Sequence, residues 1–381
     1  MSSKNIGAIS IVAGTAIGAG MLGLPMALGS LGFMMGSLVL LFVWVIAIYA
    51  ALLLLEINLE FGAGVNFNYM TKQVLGRPGQ ILATGSVFFL IYCLLVAYIT
   101  GMGGVLSSQL GVDSRICSAV FAIVSAILLF VGTEAVVRAN KILLASMLTA
   151  MVVCFGTLGG VLDGDNLTLG SPTPNMVMLA LPVLFTSFGY HASIPSIVSY
   201  VGEDKKSLVR VIFCGSLIPF VCYFVWLGLA FGSASPDQLV GMANVDVLIA
   251  RMAGGSSWVS GVLSLFAALA LVTSFIGVSL GLFDLVAETF KRGEDKKSRA
   301  GTSAIVFLPP LVASVLAPDG FIAALAHAGA ALTIIAILIP CAMAWKMRAE
   351  GRNTAYRVAG GRPAIIASFL CGIAIITASY M

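Results

Sequence analysis

Two stretches of this sequence place small and polar residues where the backbone alone could bind a charged ligand. Residues 14–25 read GTAIGAGMLGLP, and residues 182–195 read PVLFTSFGYHASIP. Glycine and proline both weaken a continuous helix, so each stretch predicts an interrupted helix. An interrupted helix exposes N–H groups at one new end and carbonyl groups at the other, with matching partial charges. The pattern therefore predicts the binding of an anion and a cation by helix ends.

A zwitterion such as an α-amino acid carries both charges that these helix ends bind. In the first stretch we expect N–H groups to bind the carboxylate, from Thr15, Ala16, Ile17, Gly18, Ala19 and Gly20. In the second we expect carbonyl groups to bind the amine, from Ser187, Phe188, Gly189, Tyr190 and His191. The alternative for the first stretch is close helix packing through a GxxxG motif. His191 could contact a phenol or titrate near neutral pH, or it could simply pack between helices.

Other chemistry finds little support in the sequence. The two histidines lie far apart, no HExxH motif occurs, and no carboxylate pair suggests acid–base catalysis. The seven cysteines fall in or beside apolar runs without CxxC spacing, which is typical of small apolar core residues. We therefore expect neither an enzyme nor a protein that holds a metal or another cofactor.

The composition identifies the surroundings of these stretches as a lipid bilayer. Of the 381 residues, 60% are hydrophobic and only 9% are charged. A soluble domain carries about 25% charged residues, so a water-soluble fold of this length could not cover its surface. A soluble enzyme, a nucleic-acid binder and a disordered chain are excluded, and lipid is the expected partner.

Apolar runs of the length that crosses a bilayer recur along the whole chain. They predict an all-α integral membrane protein with eleven transmembrane helices, at residues 6–28, 33–57, 80–106, 116–133, 141–162, 175–200, 208–231, 257–287, 302–317, 321–344 and 363–381. If the N-terminus is cytoplasmic and the spans alternate, only Arg115 and Arg251 of the 20 Lys and Arg residues fall outside. This asymmetry predicts a cytoplasmic N-terminus and an external C-terminus.

The two interruptions fall in the first and the sixth predicted spans. Their positions suggest a repeat of five helices plus five, with the second half inverted because five is odd. We expect one transporter domain, with repeat one at about 6–162, repeat two at about 175–344 and an extra helix at 363–381. Inverted repeats with interrupted helices are typical of secondary transporters, which bind their substrate near the bilayer midplane.

At these same residues the chain resembles the hydroxy/aromatic amino acid permeases. The resemblance rests on residues 14–25, on LPVLFTSFGYH at 181–191 and on TSFIGVSLGLFD at 273–284, and it extends over essentially the whole chain. It implies the LeuT-type 5+5 inverted fold with eleven helices, a location in the bacterial inner membrane and proton-coupled uptake of an aromatic amino acid. L-tyrosine is the expected substrate, and tryptophan or another neutral amino acid is the alternative.

The resemblance also implies residues around the substrate. A third-span residue faces the substrate in this fold, so Tyr92 or Tyr98 could reach it, although either could also pack in the core. Phe188, Tyr190 and Phe275 are candidate walls for an aromatic ring. Thr273 and Ser274 resemble part of the sodium site of sodium-coupled relatives, which keeps sodium open as the coupling ion.

Three further ionisable residues lie within predicted spans. Glu56 and Asp284 lie toward the cytoplasmic ends of spans two and eight, and His327 lies in the outer third of span ten. A carboxylate could carry the coupled proton, or these groups could lie at the interface with no part in coupling. A channel is a distant alternative, because no repeated filter or charged ring is present. No obligate protein partner is evident from the sequence.

Overall fold

The structure is a computed structural model that describes residues 3–131, 133–293, 295–352 and 356–381. The described chain is almost entirely helical. Its helices are α1 Ser3–Ala16, α2 Gly23–Leu28, α3 Gly32–Phe61, α4 Phe67–Leu110, α5 Ser114–Val131, α6 Thr133–Gly159, α7 Pro174–Ser187, α8 Ile194–Val201, α9 Lys205–Ser233, α10 Pro236–Leu239, α11 Val245–Ala253, α12 Ser257–Thr289, α13 Lys296–Leu316, α14 Phe321–Thr333, α15 Ile339–Ala349 and α16 Gly361–Ala378.

Length and hydropathy identify these helices as those of a membrane protein. Within the described ranges, nine helical segments are long and apolar enough to cross a bilayer, and Ser114–Phe130 is a shorter apolar helix. Many large apolar side chains face outward along them, including Met34, Ile142 and Leu316, as expected where lipid is the solvent. The chain is therefore an all-helical, multi-pass membrane protein. The count of eleven crossings and the inverted repeat stay predictions.

Several helix boundaries differ from those predicted. Helix α4 begins at Phe67 rather than near residue 80, because a short helix joins it across a kink at Gly76 (φ 74°, ψ −167°). The expected loop at 232–256 contains α10 and α11. Helix α13 begins at Lys296 rather than near residue 302, while its end at Leu316, beyond Pro309 and Pro310, lies within one residue of the predicted end. Polar residues obscured these helices in the sequence, because hydropathy detects membrane crossings better than surface helices.

Helix packing places α1, α7, α9 and α12 around one central region. Helix α1 packs along α9, while α12 contacts both α4 and α6. Asp204 is the N-cap of α9, and its carboxylate accepts from the N–H groups of Lys206 and Ser207. A hydrogen bond from the Ser207 side chain lowers the pKa of Asp204 below its ordinary value. This cap fixes the start of the helix that supports the site.

Candidate functional site

Both glycine-rich stretches are interrupted helices in the structure. Helix α1 ends at Ala16, Gly18 is extended (φ −180°, ψ −151°), and a 3₁₀ turn at Ala19–Leu22 leads into α2. Helix α7 ends at Ser187, and a 3₁₀ turn at Tyr190–Ser193 leads into α8. Each interruption leaves carbonyl groups at the end of one half-helix and N–H groups at the start of the next.

Two aromatic side chains of α9 bind the carbonyl groups of the first interruption. The Tyr223 hydroxyl oxygen lies 2.5 Å from the Ala16 carbonyl oxygen and 2.7 Å from the Ser187 carbonyl oxygen. One turn further along α9, Trp226 Nε1 donates to the Met21 carbonyl oxygen at 2.8 Å. Both side chains are fully buried. Helix α9 therefore joins the two interruptions and supplies donors that the broken backbone lacks.

Hydroxyl groups bind other backbone atoms of the first interruption. The Ala19 N–H donates to Ser274 Oγ on α12 at 3.2 Å, and Ser187 Oγ lies 3.1 Å from the Gly20 carbonyl oxygen. The N–H groups of Gly18 and Gly20 have no hydrogen-bond acceptor among the described residues. These two amides at the start of a half-helix are groups that a carboxylate could satisfy.

The two interruptions face one cavity of about 510 Å³. Its volume lies in the range of small-molecule sites. Its wall is mostly small residues and backbone, with one phenol from α4 and hydroxyl groups from α7 and α12. The lining residues are Gly14, Thr15, Ala16, Ile17, Gly18, Ala19, Gly20, Leu94, Tyr98, Asn140, Leu144, Thr186, Ser187, Gly189, Ala192, Thr273, Ser274, Gly277 and Val278.

The cavity brings together most of the residues that the sequence predicted for substrate binding. All six residues from Thr15 to Gly20 line it, together with Tyr98, Ser187 and Gly189. Tyr92 lies elsewhere, with its hydroxyl donating to the Ile305 carbonyl oxygen at 2.8 Å. Of the two candidate tyrosines on the third span, the structure therefore brings only Tyr98 to the cavity.

Four predicted aromatic or histidine residues do not line the cavity, because their rings pack into the surrounding protein. Phe275 faces Phe121 and Phe307. Phe188 packs edge-on against Tyr223, with ring centroids 5.3 Å apart. Tyr190 stacks on His191 at 4.8 Å, and His191 Nε2 lies 3.0 Å from the Ala47 carbonyl oxygen on α3. A carbonyl partner needs the proton on Nε2, so His191 donates between helices here.

The predicted ion-coupling residues separate into two groups. Thr273 and Ser274 line the cavity. Glu56 lies away from it, only 1% exposed, and accepts from Arg348 Nε at 2.9 Å and Nη2 at 2.6 Å. Asp284 is exposed on α12, and His327 contacts the Ala323 carbonyl oxygen and the Tyr380 ring. In this arrangement Glu56 is half of a buried ion pair.

Sequence reasoning missed the two residues that hold the first interruption, Tyr223 and Trp226. It also missed Asn140 and Thr186, which line the cavity. One signal was available, because Tyr223 and Trp226 are three residues apart on one face of an apolar span and carry O–H and N–H groups that need partners. Nothing in a single sequence showed that those partners are carbonyl groups of another helix.

The arrangement can bind a small zwitterion through protein dipoles and hydroxyl groups. The amides of Gly18 and Gly20 suit an anion, and the carbonyl groups of Ala16 and Ser187 suit a cation. Within the residues described, no cluster of three or more His, Cys, Asp or Glu side chains could hold a metal ion.

Known proteins resemble the chain along its whole length. A tryptophan-specific transport protein of Shigella flexneri is 32% identical, and the match covers 98% of this chain and 94% of that protein. Tyrosine-specific transport system 2 of Haemophilus influenzae is also 32% identical, covering 100% and 97%. Glutamine transporter 2 of Aliivibrio fischeri is 29% identical, covering 98% of each chain. These relatives are transport proteins and not enzymes.

The family profile agrees with these relatives and with the resemblance seen in the sequence. It matches residues 1–379, which leaves out only the last two residues. The expectation of an aromatic amino acid permease is thereby confirmed at the level of the family. The chain, a multi-pass membrane protein with two interrupted helices around one cavity, belongs to the tryptophan/tyrosine permease family.

Proposed function

We propose that the chain is a secondary transporter that carries an aromatic amino acid, L-tyrosine foremost, into the cytoplasm together with a proton. The observation that carries this proposal is the meeting of two interrupted helices at one cavity, whose described lining residues include no charged side chain. The proposal includes eleven crossings, the LeuT-type inverted repeat and a bacterial inner membrane. Bacterial relatives named for tryptophan and tyrosine support it.

In this proposal the backbone binds the constant part of the substrate. The carboxylate accepts hydrogen bonds from the Gly18 and Gly20 amides, and the ammonium donates to the carbonyl groups of Ala16 and Ser187. Leu94, Tyr98 and Val278 line the same cavity and would contact the side chain. Among the described lining residues Tyr98 is the one aromatic residue, so an aromatic substrate would contact a single ring and several small residues there.

The exposed part of the lining supports an inward-facing state of the cycle. The exposed residues precede the first interruption, follow the second, lie early in the predicted span 141–162 or lie in the second half of α12. They are Gly14, Thr15, Leu144, Ala192 and Gly277. With a cytoplasmic N-terminus, all five fall on the cytoplasmic side. Beyond the first interruption, Met21, Leu22 and Trp226 are buried and would close the opposite side. Alternating access would move these closed contacts.

Sodium coupling is a second candidate, because one feature favours it. The Thr273 and Ser274 hydroxyl groups line the cavity beside the first interruption. Hydroxyl and carbonyl oxygens are the ligands that a hard cation prefers. The Ser274 oxygen already accepts from Ala19 but keeps a second lone pair.

Uptake by purified protein in liposomes tests these alternatives directly. Under an inward proton gradient without sodium, we expect accumulation of labelled tyrosine above its equilibrium level. Accumulation that requires a sodium gradient instead would contradict the proton assignment. Competition by unlabelled tyrosine, tryptophan, phenylalanine and glutamine ranks the substrates. Downhill flux that never exceeds equilibrium would favour a channel.

A further inference from the structure

The Tyr223 hydroxyl lies between two carbonyl groups that belong to different interrupted helices. Ala16 is the last residue of α1, and Ser187 is the last residue of α7. Both carbonyl oxygens are within hydrogen-bond distance of the same phenol oxygen, at 2.5 and 2.7 Å. Tyr223 itself is fully buried, and its ring packs against Phe188.

In this contact the hydroxyl has fewer protons to donate than the two carbonyl groups have sites to accept them. A phenol has one proton to donate, while each carbonyl oxygen has two lone pairs. Both carbonyl groups stand at half-helix C-termini, where the helix dipole is negative and four carbonyl groups lack an intrahelical partner. The two carbonyl groups therefore retain capacity to accept hydrogen bonds after Tyr223 has donated. A primary ammonium has three donors and a positive charge, which suits this capacity.

We propose that Tyr223 is a positioning residue for the substrate ammonium, because its hydroxyl holds the Ala16 and Ser187 carbonyl groups where one ammonium can reach both. The inference rests on the proposed function and deepens it. Trp226 supports the same arrangement, since its bond to Met21 fixes the far side of the first interruption to the same face of α9.

Tyr92 provides a natural comparison for this role. Its hydroxyl also donates to a backbone carbonyl of another helix, that of Ile305 at 2.8 Å. It has a single acceptor, however, and it does not line the cavity. Removing this hydroxyl therefore deletes a similar interhelical hydrogen bond without touching either interruption.

Binding measurements on the purified full chain test the inference with ligands that lack one charged group. L-Tyrosine is compared with 3-(4-hydroxyphenyl)propionate, which lacks the amine, and with tyramine, which lacks the carboxylate. In wild-type protein both losses should weaken binding. In Tyr223→Phe the penalty for losing the amine should shrink by about tenfold to a hundredfold, the range of one hydrogen bond to a charged group. The penalty for losing the carboxylate should stay as it is.

The controls separate positioning from general damage to the fold. Tyr92→Phe should keep both penalties, and Tyr223→His, which retains a ring N–H donor, should lie between wild type and Tyr223→Phe. If both Tyr223 variants keep the wild-type penalty for losing the amine, the inference is overturned. It is also overturned if Tyr92→Phe reduces that penalty as much as Tyr223→Phe does. Wild-type protein that binds no aromatic amino acid would instead overturn the proposed function.

Discussion

At the scale of single residues, Gly18 is the glycine of the cavity lining with the least room for a side chain. A Cβ atom added there would lie 2.5 Å from Ser274 Oγ, the atom that accepts from the Ala19 N–H. Gly18→Leu should therefore abolish tyrosine binding, because the side chain would fill the proposed carboxylate site and displace Ser274. Binding by calorimetry or a filter assay measures the effect.

Gly85→Ala is the matched control for Gly18→Leu. Gly85 lies exposed on the long helix α4, and among the described residues no atom outside its own helix backbone lies within 4 Å of an added Cβ there. It does not line the cavity. Its variant should bind tyrosine as the wild type does. Near-normal affinity in Gly18→Leu would remove the first interruption from the substrate site.

Glu56 is the second residue whose contacts make a clear prediction. Its carboxylate accepts from the Arg348 guanidinium and from the Val358 N–H at 2.8 Å while almost wholly buried. Removing one partner of a buried ion pair leaves a charge uncompensated, at a cost of about 3–5 kcal/mol. Glu56→Ala should therefore lower the free energy of unfolding by that amount, measured by denaturant unfolding in detergent.

The more exposed pair of Arg352 and Glu350 serves as the control. The Arg352 Nε atom lies 2.9 Å from the Glu350 carboxylate, the same distance as for Arg348 Nε and Glu56, but both side chains are about a third exposed. Glu350→Ala should change stability by no more than about 1 kcal/mol. If Glu56→Ala leaves stability intact and removes proton coupling, Glu56 is a coupling residue and not a structural one.

The sequence predicted the residues of the site better where the backbone binds than where side chains do. Glycine, serine and proline within an apolar span reveal an interruption, and the stretch from Thr15 to Gly20 does line the cavity. Aromatic residues gave no such guide. Phe275 and Tyr190 are packed in the core, while Tyr223 holds the site together. With 22 phenylalanines and nine tyrosines in the chain, type alone cannot say which ring faces a cavity.

At the scale of elements, the same logic explains which boundaries were predicted and which were not. Apolar runs marked the long helices, but they did not show that α4 extends back to Phe67 or that a π-helical turn at Ile334–Leu338 joins α14 to α15. Such features depend on contacts with neighbouring helices and produce no periodic pattern of hydrophobic residues in a single sequence.

Close packing of α14 on α7 makes a prediction at this scale. A Cβ atom at Gly329 would clash with the Pro182 carbonyl oxygen, which belongs to the backbone and cannot rotate away. Gly329→Ala should therefore push α14 from α7 and lower stability by about 1–3 kcal/mol. Gly261→Ala on α12, where an added Cβ meets no described atom within 4 Å outside its own helix backbone, should leave the unfolding temperature unchanged or slightly higher. Equal unfolding temperatures for the two variants would contradict this packing argument.

At the scale of the whole molecule, the proposed topology and the inward-facing cavity can be tested on one helix. Ser257 stands at the first residue of α12, and Gly277 lies 20 residues further on, about 30 Å along the helix axis. Both are exposed, and an added Cβ at Gly277 meets no atom within 4 Å among the described residues outside its own helix backbone. Single cysteines at these positions, in a chain whose seven native cysteines have been replaced, therefore report on two ends of one span.

A membrane-impermeant maleimide should modify Gly277→Cys only when it is added to the cytoplasmic side, and Ser257→Cys only from the outside. The reason is that, in the proposed topology of eleven alternating spans, the exposed cavity residues and 18 of the 20 basic residues would fall on the cytoplasmic side. Tyrosine should slow the reaction at Gly277, which lines the cavity, and leave Ser257 unaffected. Labelling of Gly277→Cys from the outside and of Ser257→Cys from the cytoplasmic side would show that the topology is the reverse of the proposed one. Labelling of both cysteines from outside would keep the topology but make the cavity outward-facing, so that the closed contacts around Met21 and Trp226 would have to be the ones that open.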